Sequence, residues 1–111
     1  MFAIETHNDV SVIMLNQSVV TMYENEQFKK DFDDILSKGP KKMLLDLSRA
    51  EFISSVVLAS LIYVLKRTKQ QGILFKICGL RPKVQEVFDI TNLDKIFEIY
   101  ASREDAFKSF A

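Results

Sequence analysis

The residues able to do chemistry in this chain are few. Two adjacent serines, Ser54 and Ser55, stand directly before a strongly apolar segment, Val56 to Leu65. His7 is the single histidine and Cys78 the single cysteine. A serine nucleophile needs a positioned base, and His7, in the turn-rich tripeptide His7-Asn8-Asp9, reads instead as a solvated turn residue. No Cys/His cluster has the spacing of a zinc site. Asp31, Asp33 and Asp34 are close in sequence, but on a helix they point in different directions and read as a solvated face. The three glycines, Gly39, Gly72 and Gly79, are spread over element boundaries, so there is no glycine-rich phosphate loop. No enzyme activity, cofactor or metal is expected. The serine hydroxyls remain, with two uses open to them. A serine at a strand-to-helix boundary accepts a backbone N–H as a cap. It is also a group that can carry a phosphate, and a helix N-terminus favours that negative charge.

Composition sets the setting. The chain of 111 residues, 48% hydrophobic, is expected to form one domain, 1–111, with a real core. Fifteen basic residues balance fifteen acidic ones, so no global field draws it to nucleic acid or an anionic membrane. Basic residues are scattered without the interleaved aromatics of a single-strand platform. Cys78 lies in an apolar run and reads as a small buried residue. A lone cysteine leaves no internal disulfide and fits a reducing compartment. The N-terminus turns polar too early for a secretory signal, and a cytoplasmic location is expected, with no membrane insertion.

The elements that must position the serines follow from periodicity. Phe2 to Glu5 and Val10 to Leu15 read as strands of a hairpin. Thr21 and Glu24 have the spacing of a capping box. Phe28, Phe32, Ile35 and Leu36 then form one helical stripe, which Gly39-Pro40 stops. Met43 to Asp46 reads as a strand and Ser48 to Glu51 as a connection. A helix is predicted over 56–71, with cations in its last turn and Gly72 as its stop. It is too long for a strand and far short of the ~20 residues that span a bilayer. Ile73 to Cys78, the helix opened by Pro82, Phe97 to Tyr100 and a terminal helix after Ser102 complete the order β-β-α-β-α-β-α-β-α. This is an α/β chain with a mixed sheet of four to five strands and packed helices. Leu44, Leu58, Leu61, Ile62 and Leu65 are expected in the core.

Two stretches, LLDLSRAEFISSVVL with the helix to Gly72, and ICGLRPKVQEVFDITNLDKIFEIY from Ile77 to Tyr100, resemble the STAS domain family. The likeness is to its bacterial single-domain anti-sigma factor antagonists. Such antagonists read Phe-x-Asp-Ser-Ser-Gly-Leu before the central helix, and the first serine after the aspartate is the phosphoacceptor. The resemblance, set in register by Phe52 and Leu58, implies that role for Ser55. Ser54 stands where the aspartate would be and is the better cap candidate. Val56 replaces the second serine and Val57 the glycine, and the loop from Asn16 to Val20 lacks the usual Gly-x-Leu-Asp. The resemblance further implies a partner surface of Ser54, Ser55, Val56, Val57, Asn16 and Gln17. The implied partners are an anti-sigma factor serine kinase and a resetting serine phosphatase. The alternative is a non-switching STAS scaffold subunit of a stress-signalling or lipid-transport assembly.

Overall fold

The computed structural model describes residues 2–15, 19–20 and 25–110. Two strands, β1 (Phe2–His7) and β2 (Val10–Leu15), pair antiparallel in register from Phe2↔Leu15 to His7↔Val10, with Asn8 in the left-handed conformation at the turn. Parallel strands β4 (Lys42–Asp46) and β6 (Leu74–Cys78) extend the sheet from β2, and β7 (Glu98–Tyr100) closes it in the order β1-β2-β4-β6-β7. The expected mixed sheet is therefore present with five strands. A second, two-stranded sheet was not expected from the sequence: β3 (Val19–Val20) pairs parallel with β5 (Phe52–Ile53).

Among the described residues four α-helices connect and cover these strands: α1 (Asn25–Ser37), α2 (Ser55–Gln70), α3 (Pro82–Ile90) and α4 (Arg103–Phe110). Strand side chains alternate between faces, and this divides the core in two. Ile13, Leu15, Met43, Leu45, Phe75 and Ile77 meet α1, α2 and α3 on one face. Val10, Val12, Leu44 and Cys78 meet Ala106 and Phe110 of α4 on the other. Burial pushes the Cys78 thiol up to about 12, so it stays protonated and inert.

The helical stripe of α1 behaves as its spacing dictates. Phe28, Phe32, Ile35 and Leu36 are all buried, and edge-on aromatic contacts run from Phe32 to Phe75, Phe97 and Phe88. Asp33, on the outer side, accepts hydrogen bonds from Tyr63 (3.0 Å) and Arg67 (3.2 Å) of α2. Of the acidic run, Asp33 thus serves as a contact between helices, while Asp31 accepts from Gln27 within α1 and Asp34 is exposed. The Thr21–Glu24 capping box lies outside the described residues.

The α2 helix buries Leu58, Leu61 and Leu65, together with Val57 and Val64. Ile62 departs from expectation. It lies one step, about 100°, beyond Leu61 around the helix and is only partly buried at the rim of the core. The sheet and α1 cover one broad side of α2, not its whole circumference. Gly72 takes φ +71° beyond the helix end, the left-handed turn its position demands.

Candidate functional site

The parallel register fixes where the serines sit. Val10 pairs with Lys42 at one end of the sheet, and Asp46 pairs with Cys78 at the other. The connection 47–54 leaves the carboxyl end of β4, the end at which open α/β sheets present their ligands. His7 pairs with Val10 at the opposite end, beside Glu5 at 2.9 Å. The sole histidine therefore cannot act as a base for either serine.

Ser54 is the N-cap of α2, with extended backbone (φ −72°, ψ 160°), and its Oγ accepts the Val57 N–H at 3.3 Å. The Ser54 carbonyl takes the Leu58 N–H at 3.1 Å. Ser55 is the first residue of the helix and is exposed. The two hydroxyls are thus divided by geometry: Ser54 Oγ is engaged in the cap, and Ser55 faces solvent. No acidic residue occupies the first turn of α2, so the positive end of the helix dipole is uncompensated there. Ser54→Ala is expected to cost about 0.5–2 kcal/mol through loss of this cap, read as a shift of the denaturant midpoint with unchanged slope.

The valines separate as well. Val56 is 38% exposed, whereas Val57 is fully buried in the main core. Val57 therefore supplies no side chain to a partner surface. Its position two steps into the helix turns it inward while Val56 turns outward. Asn16 and Gln17 lie outside the described residues. The strand after them, β3, pairs Val19 with Phe52 and Val20 with Ile53, so that segment runs alongside the strand ending one residue before Ser54. Phe52 is 48% exposed while Ile53 is buried. An exposed phenylalanine three residues from an exposed serine belongs to the candidate surface, and the sequence reading used it only as a register marker.

The connection itself is held from below. Asp46 is 6% exposed. Its Oδ1 accepts the Ser48 N–H at 2.8 Å, and its Oδ2 accepts from Arg103 Nε of α4 at 2.6 Å. Burial opposes the charge on Asp46, but the Ser48 amide, the Ser48 side chain and Arg103 outweigh it and hold the carboxyl below its usual range. Leu47 N–H donates to the Cys78 carbonyl at 3.1 Å, and Ala50 N–H to Leu47 at 2.9 Å. The loop that delivers the serines is thereby fixed to the start of α4 and the end of β6. Among the described residues no helix is long and apolar enough to cross a membrane, and no group of three acidic, histidine or cysteine side chains is placed to hold a metal.

Known proteins share this arrangement. The family model for the STAS domain matches residues 1–106. A Bordetella bronchiseptica protein, BtrV, named as a candidate anti-sigma factor antagonist, is 37% identical over 103 residues, covering 92% of this chain and 88% of that one. The crystal structure of a candidate anti-sigma factor antagonist from Thermotoga maritima superposes with a TM-score of 0.90 at 33% identity, covering 97% of this chain and 92% of that one. The unphosphorylated form of the anti-sigma factor antagonist SpoIIAA shares the fold, with a TM-score of 0.81 at 17% identity, covering 99% of this chain and 96% of that one. With the strand order, the central helix and these matches in agreement, the chain belongs to the STAS domain family.

Proposed function

We propose that this protein is an anti-sigma factor antagonist, a cytoplasmic binding module whose partner is an anti-sigma factor that is also a serine kinase. Ser55 is the phosphate acceptor, and Ser55, Phe52 and Val56 form the centre of the docking surface. One observation carries this reading: at the start of α2 the cap is made by Ser54, which leaves Ser55 exposed at a positive helix end with no acidic neighbour in the first turn. The relatives named as anti-sigma factor antagonists support it. A phosphate adds about −1.5 to −2 charges, which the helix N-terminus tolerates. Phosphorylation then leaves the fold intact and changes the charge and shape of an apolar docking surface. That surface is desolvated in the complex, where an unpaired negative charge is costly. A serine phosphatase restores the binding form.

The two variants of Ser55 separate docking from modification. Ser55→Asp is expected to weaken partner binding by about tenfold or more, which is about 1.4 kcal/mol, with unchanged thermal stability. Ser55→Ala is expected to keep binding and lose phosphate uptake. Isothermal titration with the purified kinase partner measures the first, and radiolabelled ATP the second. Equal affinity of Ser55→Asp and wild type would favour the second reading, a non-switching STAS scaffold.

A further inference from the structure

We infer that Arg81, at the start of α3, is a positioning residue for the serine site. The inference rests on the proposed role of Ser55 and extends it to a group remote in sequence. Arg81 is the N-cap of α3, yet it makes no side-chain cap. Short polar residues are the usual occupants of that position, because they accept the free N–H groups of the first turn. Arg81 instead sends its side chain across the surface to the loop before Ser54. Its Nε donates to the Ser48 carbonyl at 2.8 Å, and its Nη1 meets Glu51 Oε1 at 3.3 Å. One planar guanidinium thus spans both ends of the 48–51 connection. Both backbone polar groups of Ser48 are occupied, the N–H by Asp46 and the carbonyl by Arg81.

A second feature shows that the contact is built for close fit. Gly79, at φ +73°, passes so near that a Cβ there would meet Ser48 Cβ at 3.1 Å and Asp46 Oδ1 at 3.2 Å. The β6–α3 connection is therefore pressed against the same loop that Arg81 grips. Glu51 adjoins the exposed Phe52, and β5 leads directly to the Ser54 cap. Fixing the loop at residues 48 and 51 fixes the approach of Phe52 and Ser55 to a partner. Arg81 and Glu51 are largely exposed, with 49% and 62% of their side chains accessible, so this clamp adds little to global stability. Its effect is local order, which lowers the cost of docking.

The test uses the full chain with Arg81→Ala and Arg81→Lys. Amide hydrogen exchange on the free protein reads the loop without any partner. Arg81→Ala is expected to speed exchange at Ser48 to Val57 by about tenfold, leaving α4 and the thermal midpoint unchanged. Arg81→Lys, which keeps a cationic donor but not the planar fork, restores part of the protection. Phosphate transfer to Ser55 by the purified kinase partner then reads function, with KM raised and kcat near wild type. Unchanged loop exchange in Arg81→Ala overturns the positioning role, whatever the partner does. Faster exchange with unchanged KM overturns its link to the serine site. Wild type that neither binds nor accepts phosphate overturns the functional reading itself, and with it that link, while the exchange data still decide whether Arg81 orders the loop.

Discussion

Leu61→Ala is expected to lower the stability of the domain by about 2–5 kcal/mol. Leu61 is fully buried in the middle of α2, on the side that meets the sheet and α1. Removing its branched end deletes transfer energy and leaves a cavity that helix and strands, fixed by their own hydrogen bonds, cannot close. The expected loss is a large part of the 5–15 kcal/mol typical of a domain, so the variant should unfold at markedly lower denaturant. Ile62→Ala, one position along, is the internal control. Its side chain is only partly buried, and its loss should be distinctly smaller. Equal losses at the two sites would show that α2 is covered on all sides.

Arg103→Ala is expected to cost about 2–4 kcal/mol. Asp46 keeps only 8% of its side chain exposed, and Arg103, itself 30% exposed, is its cationic partner across 2.6 Å. Without Arg103 the carboxylate stays buried with Ser48, through its N–H and its side chain, but without a cation beside it. Asp46→Asn added to Arg103→Ala should recover part of the loss, because it removes the charge and keeps an acceptor for Ser48. The acid profile has a defined sign. The folded pKa of Asp46 lies below its unfolded value. Its contribution is therefore fully present above the ordinary carboxylate range, about pH 4, and is lost as pH falls through the folded value. In Arg103→Ala the lowering by Arg103 is lost, so the folded pKa rises relative to wild type and the acid loss begins at higher pH. Urea midpoints of both proteins between about pH 7 and 3 check this.

Much of the architecture was legible because periodicity writes it directly. The Phe28-Phe32-Ile35-Leu36 stripe, the apolar run of α2 and the short strand Val10 to Leu15 each had one reading that the fold confirms. The β3–β5 pair was not legible, since two residues per strand carry no period. The partly exposed Ile62 was misplaced because a continuous apolar run hides which side of a helix is covered. At the site, the division between Ser54 as cap and Ser55 as exposed hydroxyl followed from local helix chemistry. The ties that hold the loop did not. Arg103 reaches Asp46 across 57 positions and Arg81 reaches Ser48 across 33, and no spacing rule connects residues that only the tertiary fold brings together.

Locating phosphate by mass spectrometry bears most directly on the claim that Ser55 is a switch. Wild type, Ser54→Ala and Ser55→Ala are incubated with ATP and the serine kinase proposed as the partner, sought among the proteins that co-purify with the chain. The expected result is phosphate on Ser55 in wild type and in Ser54→Ala, and none in Ser55→Ala. Phosphate on Ser54, or on neither serine with partner binding indifferent to ATP, would contradict it.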